Sequence, residues 1–303
     1  MDLLSSIGNT SLVRLRDTNI SVKLEWQNPT GSMKDRMALS MISNAEKSGR
    51  LKPGYTVVEY TGGSTGASLA LVCAAKGYPL KIVTSDVASP EKRDQMAALG
   101  AELILVPSEG GRQTKKLIET YIETARRLSE QPNTYWTNQL QNPDNVAGYD
   151  ALGEEIWEQT NGEIDVFVQM VGTAAALRGT AAALKRHKRD LHVVAVEPAE
   201  SPVLGGGQPG PHHIEGVGIG YTPPLWDASL VDEIIAVKTD DAKEMARRLA
   251  REQGIFAGTS SGGNVLAALQ VARRMPHAKI VTLMVDSGLK YLNTDVYRLT
   301  SRS

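Results

Sequence analysis

One cysteine in 303 residues leaves no partner for an internal disulfide and no basis for a cysteine metal cluster. That residue, Cys73, lies in the apolar run Leu69 to Ala75, and the expected compartment is a reducing cytoplasm. Neither charge sign dominates: 33 Lys and Arg stand against 34 Asp and Glu, so no long-range basic field exists to recruit nucleic acid or an anionic membrane surface. Small-molecule partners are expected instead. No apolar run approaches the roughly 20 residues of a membrane span, and the opening Asp2-Leu3-Leu4-Ser5 has no basic segment ahead of an apolar stretch. Neither membrane insertion nor secretion is expected. The histidines His187, His192, His212, His213 and His277 include no pair at helical ligand spacing, so a metal site is not expected. Internal repeats and low-complexity tails are lacking too.

From Thr56 onward, short β-branched runs alternate with longer helix-patterned segments, which predicts a mostly parallel sheet covered by helices, a doubly wound α/β fold. The expected strands are Val57 to Tyr60, Leu80 to Val83, Leu103 to Val106, Val166 to Gln169, Val193 to Val196 and Ile280 to Leu283. Pro198 to Pro224 is rich in Gly and Pro and carries no period. Such a long structureless connection is expected to shape a site or an interface.

Four segments are candidates for chemistry. In Asn28-Pro29-Thr30-Gly31-Ser32-Met33-Lys34-Asp35-Arg36, a turn ends at a helix start, with Ser32 a candidate N-cap. Lys34 then falls in the first helical turn, where the positive end of the helix dipole disfavours an ammonium and favours a nucleophilic amine. The bland alternative is a solvated surface lysine. Thr61-Gly62-Gly63-Ser64-Thr65-Gly66 follows a predicted strand and runs into a helix from Ala67, a geometry whose unpaired N–H groups suit a carboxylate or phosphate. A tight turn needing glycine only for its backbone fits equally. Gly172-Thr173-Ala174-Ala175-Ala176 repeats the design after a second strand, and Gly258-Thr259-Ser260-Ser261-Gly262-Gly263 leads toward a helix from Val265. Three such turns are expected to line one sheet edge at the carboxyl ends of the strands.

With these residues assembled, the chain resembles the cysteine synthases (O-acetylserine sulfhydrylases) of the fold-type II pyridoxal-phosphate enzymes. The resemblance spans nearly the whole chain, from Ile7-Gly8-Asn9-Thr10 and the Lys34 segment through Gln139-Leu140-Gln141-Asn142-Pro143 to Gly254-Ile255-Phe256-Ala257-Gly258-Thr259-Ser260-Ser261-Gly262 and Asp286-Ser287-Gly288. It implies two lobes of the tryptophan-synthase-β-like type, a smaller, mobile one over 36–145 and a larger one over 1–35 and 146–303. It implies pyridoxal 5'-phosphate bound to Lys34 as a Schiff base, with Lys34 later moving the α-proton. Gly172, Thr173, Ala174, Ala175 and Ala176 would hold the phosphate, and Ser260 the pyridine nitrogen. Ser64 would lie at the cofactor, while Thr61, Gly62, Gly63, Ser64, Thr65 and Gln139 would hold the substrate carboxylate. The implied reaction is β-replacement, cysteine synthesis from O-acetylserine or O-phosphoserine and sulfide, in a cytoplasmic homodimer. A serine or threonine dehydratase or a cystathionine β-synthase-like enzyme is the alternative within the fold.

Two departures fall in the site itself. Where the family usually reads Thr-Ser-Gly-Asn-Thr-Gly, this chain has Gly62 and Ser64, so either a water fills the gap or the loop shifts toward the ring. Where it reads Gly-Thr-Gly-Gly-Thr, this chain has Ala174, Ala175 and Ala176: backbone donors survive, the last hydroxyl is lost, and alanine resists positive φ. Two readings of other classes remain. Gly62-Gly63-Ser64-Thr65-Gly66 fits the G-x-S-x-G elbow of serine hydrolases with Ser64 as nucleophile, although no oxyanion segment precedes it and His277 sits in a polar connection. A non-catalytic pyridoxal-phosphate-binding protein is the other, and the intact Lys34 turn and Ser260 argue against it.

Overall fold

The computed structural model describes residues 2–108 and 115–298. Its contacts divide the chain into two compact units: Met1–Ile7 with Lys34–Gly148, and Gly8–Met33 with Tyr149–Ser303. No helix among the described residues is long and apolar enough to cross a membrane.

The smaller unit is built on a four-stranded parallel sheet, in the order β5-β4-β3-β6, of β3 (Thr56–Tyr60), β4 (Leu80–Thr84), β5 (Glu102–Leu105) and β6 (Thr134–Trp136). Helices α1 (Lys34–Lys47), α2 (Ser64–Lys76), α3 (Pro90–Ala98), α4 (Lys115–Ser129) and α5 (Pro143–Ala147) accompany it. Val58, Tyr60 and Val83 pack with Leu117, Tyr121 and Ala125 from α4 as one cluster. Burying those side chains stabilises the unit by about 1.5–3 kcal/mol for each large one. Helix α2 is long, apolar and buried along Thr65 to Cys73, and ends at Gly77, whose left-handed φ of +78° closes the last turn.

The larger unit carries a six-stranded sheet, in the order β1-β2-β10-β7-β8-β9. It comprises β1 (Leu12–Arg14), β2 (Ile20–Leu24), β7 (Val166–Met170), β8 (His192–Pro198), β9 (Glu233–Val237) and β10 (Ile280–Met284). Only β1 runs antiparallel to its neighbour. Every residue of β7 and β10 is buried, so both faces of the sheet centre are covered, which is why these strands read as unbroken apolar runs. Helices α6 (Asp150–Gln159), α7 (Ala175–His187), α8 (Thr239–Arg248) and α9 (Thr259–Arg274) complete the unit.

The six strands expected from the sequence are all present, within a residue or two. Of the other four, β1 and β6 have only three residues each and β2 is interrupted by Ser21 and Lys23, whereas β9 is an apolar run behind Glu233 that the sequence pattern overlooked. Lys23 in β2 is fully buried because its ammonium meets Glu155 at 2.6 Å and donates to the Thr10 carbonyl. A buried charge of that kind requires its partner, and the partner lies more than a hundred residues away.

Two expectations about the turns are corrected. The three glycine-containing turns do not line one sheet: the first follows β3 in the four-stranded sheet, the second follows β7 in the six-stranded sheet, and the third joins α8 to α9. Nor do the helices start where the apolar residues do. Helix α2 begins at Ser64 rather than Ala67, and α9 begins at Thr259 rather than Val265. Gly262 therefore lies inside a helix, where a Cβ would stand 2.1 Å from the Ala242 carbonyl oxygen of α8. Its role is close helix packing.

Candidate active site

Within the larger unit, three segments converge on the chain just beyond β10. The Met33 N–H donates to the Val285 carbonyl at 3.0 Å, and Ser32 pairs with Asp286 in an isolated antiparallel bridge. Ala257 pairs with Ser287 in the same manner, while the Gly258 N–H donates to the Asp286 carbonyl. Tyr291 donates its hydroxyl to Asp286 at 2.8 Å, and burial pushes that phenol well above its ordinary range, so it stays a donor. A Cβ on Gly258 would lie 2.4 Å from Asp286 and 2.5 Å from the Tyr291 ring. This packing fixes the start of α9, where Ser260 is the second residue and almost wholly buried.

Strand β7 lies beside β10, and its carboxyl end leads into the turn before α7. Gly172 is forced there: a Cβ would come within 2.3 Å of the Gly216 carbonyl oxygen, in the long 198–224 connection that also donates the Gly218 N–H to Val171. The connection thus shapes this turn, as its length suggested. Ala174 adopts φ +66° and ψ −14°, so alanine does take the positive φ that its side chain resists. The left-handed conformation costs about 1–2 kcal/mol for a residue with a Cβ, and it is held by α7 accepting Ala174 as its N-cap, with the Ala174 carbonyl receiving the Arg178 N–H at 2.9 Å. No side chain caps this helix, and the Thr173 hydroxyl receives only a long 3.4 Å contact from the Ala175 N–H. A 13-residue helix with an uncapped amino end and no bulk at Gly172 fits a phosphate. The alanines leave those backbone donors in place.

Lys34 is the residue after Met33 and the first of α1, half-buried. Directly before the helix stands Met33, so Ser32 sits one residue earlier than an N-cap would.

In the smaller unit, the Thr61 hydroxyl accepts the Gly63 N–H at 3.1 Å, setting the loop that opens α2. Ser64 and Thr65 form the first helical turn, where backbone N–H groups lack intrahelical partners. Gly62 is exposed, and a Cβ there would meet nothing nearer than Ala88 at 3.6 Å, so its backbone does not require glycine. Thr65 donates its hydroxyl to the Gln139 side-chain oxygen at 2.8 Å, and the Gln139 amide donates to the Tyr60 carbonyl at 3.3 Å. The structure thereby joins Thr65 and Gln139, expected partners that are far apart in sequence.

Beneath this pair lies a residue that the sequence reading missed. Glu59 of β3 is completely buried, and its carboxylate accepts hydrogen bonds from the Thr137 hydroxyl at 2.7 Å, the Gln139 N–H at 2.9 Å, the Tyr60 N–H at 2.9 Å and the Trp136 indole at 3.4 Å. Desolvation pushes its pKa up, and the hydrogen bonds from Thr137, Gln139, Tyr60 and Trp136 oppose that shift. The one available signal was an acid inside the β-branched run Val57-Val58-Glu59-Tyr60.

The model of the family described as pyridoxal-phosphate dependent enzyme matches residues 3–286. This chain belongs to that family. Within it, a cysteine synthase of Staphylococcus aureus is 42% identical over 300 residues, covering 96% of this chain and 95% of that protein. Among solved structures, a cysteine synthase (OASS) of Entamoeba histolytica superposes with a TM-score of 0.93 at 38% identity, over 100% of this chain and 92% of its own. An O-ureido-L-serine synthase superposes with a TM-score of 0.92 at 35% identity, over 100% of this chain and 96% of its own. The pyridoxal-phosphate enzyme fold is therefore the fold of this chain, and pyridoxal phosphate is its cofactor. Membership in the family also removes the serine-hydrolase reading of Ser64.

Proposed function

We propose that this chain catalyses β-replacement on an activated serine, with O-acetylserine or O-phosphoserine as the amino-acid substrate and sulfide as the nucleophile, giving cysteine. The observation that carries the reading is the uncapped, positive-φ turn opening α7, a phosphate cradle, in a chain alike over 96% of its length to a cysteine synthase. When bound, pyridoxal phosphate supplies an electron sink that acidifies the α-proton of an attached amino acid and allows its β-substituent to leave.

In this proposal, Lys34 would hold the cofactor through its Nζ, and the same amine, when free, would take the proton from the substrate α-carbon. The turn from Gly172 to Ala176 holds the phosphate through backbone N–H groups, with the Thr173 hydroxyl as a further donor. Ser260 hydrogen-bonds the pyridine nitrogen as a neutral partner, withdrawing less charge than a carboxylate and so favouring elimination and replacement at the β-carbon. Thr61, Gly62, Gly63, Ser64, Thr65 and Gln139 grip the substrate carboxylate and orient the α-carbon. The assembly is a homodimer in the cytoplasm, working on small molecules alone.

O-Acetylserine, O-phosphoserine and serine, each offered with sulfide to the purified holoprotein, test the substrate. Cysteine formation from one of the two activated serines is expected. Turnover of serine alone, releasing ammonia, would point to a dehydratase instead.

A further inference from the structure

The carboxylate of Glu59 is buried in a strand where its neighbours Val57 and Val58 are apolar, and nothing in sheet packing requires an acid there. Four donors nevertheless converge on it, three of them from the end of β6 and the short segment that follows: the Trp136 indole, the Thr137 hydroxyl and the Gln139 N–H. That segment is itself unusual. Asn138 takes a left-handed φ of +46°, and the Gln139 carbonyl is held from the other side by the Asn145 amide at 2.6 Å. The backbone of Gln139 is thus fixed at both its N–H and its carbonyl. Its side chain is fixed as well, because the oxygen receives the Thr65 hydroxyl and one amide hydrogen goes to Tyr60. A glutamine has two amide hydrogens, so one donor remains for a ligand. An arriving carboxylate can take that donor and the Thr65 hydroxyl together, replacing the 2.8 Å Thr65 to Gln139 bond by two charge-assisted ones.

We propose that Glu59 is a positioning residue, whose buried carboxylate holds the Trp136 to Gln139 segment so that Gln139 and Thr65 meet the substrate carboxylate as a preformed pair. This rests on the reading above that Gln139 and Thr65 grip that carboxylate. Removing one acceptor from a convergent set leaves buried donors unpaired, so the effect on Gln139 should be large. Glu59→Gln keeps the shape and replaces an acceptor oxygen by an N–H₂ group that faces donors.

The test uses the holoprotein and two probes, L-serine and L-serinamide, which share an amine and differ in the carboxylate. Titration of the cofactor absorbance with each gives two dissociation constants and their ratio. Glu59→Gln is expected to reduce the preference for serine over serinamide about tenfold, as Gln139→Ala does, because each removes an ionic hydrogen bond. The double variant should lose no more than Gln139→Ala alone, since both changes act through one side chain. Thr137→Val removes a single donor to Glu59 and should reduce the ratio about threefold. If Glu59→Gln does not fold, that variant decides alone. Equal weakening of both probes by Glu59→Gln, or an unchanged ratio in Thr137→Val, would overturn the positioning role while Gln139→Ala still lowers the ratio. An unchanged ratio in Gln139→Ala would overturn the carboxylate reading itself, and the positioning role with it.

Discussion

The turn after β7 and the loop after β3 occupy equivalent places in their own sheets, each joining the carboxyl end of a parallel strand to a helix, yet they are built from different materials. After β7, the proposed phosphate site is left to the backbone: Gly172 admits the Gly216 carbonyl, Ala174 accepts a strained φ, and α7 presents its uncapped end. After β3, the proposed substrate site depends on side chains, with Thr65 and Gln139 joined to each other and Gln139 held by Glu59. The lesson is about tolerance. Backbone donors persist through changes of side chain, so Ala174 to Ala176 can stand where the family usually has two glycines and a threonine. A side-chain grip lacks that freedom, so Gly62 and Ser64, standing where the family usually has serine and asparagine, should alter what it holds.

The largest expected effect lies outside both regions and is needed by both. Lys34→Ala, loaded with pyridoxal phosphate, should lose the yellow absorbance of the parent and all β-replacement. Borohydride followed by mass measurement should leave cofactor mass on the parent and none on the variant. Cofactor mass persisting on the variant would assign the attachment to another lysine.

Within the side-chain region, Ser64→Asn should tighten binding of the cofactor or of O-acetylserine several-fold, the worth of about 1 kcal/mol for one added hydrogen bond. Weaker binding of both would show that the loop has already closed around Ser64 and that asparagine overpacks it by about 1–3 kcal/mol.

The smallest effect belongs to the backbone region. Ala174→Gly relieves a left-handed Cβ but loses a buried methyl and makes the unfolded chain more flexible, so the net gain should be about 0.5 kcal/mol. Denaturant unfolding should detect it, with the affinity for pyridoxal phosphate unchanged. A destabilised variant would mean that the methyl group, and not the backbone alone, supports the turn.

Much of this arrangement could be read from the sequence, and the failures have a common cause. Strands such as Val166 to Met170 and Ile280 to Met284 declare themselves because both their faces are covered and they are apolar throughout. The Lys34 turn, the loop at Thr61 to Thr65, the turn at Gly172 and Ser260 are legible as motifs, since glycines and hydroxyls mark the chain locally. Strand β2 escapes because Lys23 reads as solvated, whereas Glu155 neutralises it in the core. The start of α9 escapes because Gly262 reads as a turn residue, whereas it admits the backbone of α8. Glu59 escapes for the same reason: three of its four donors come from residues 136–139, and no local pattern announces them.

The central claim is that this chain makes cysteine from an activated serine through Lys34. The most direct measurement incubates the purified holoprotein and its Lys34→Ala variant with O-acetyl-L-serine and sulfide, then with O-phospho-L-serine and sulfide, and quantifies cysteine by mass spectrometry. The account predicts cysteine from the parent with at least one of the two substrates and none above the uncatalysed background from the variant. Equal cysteine from both proteins, or none from the parent with either substrate, would contradict it.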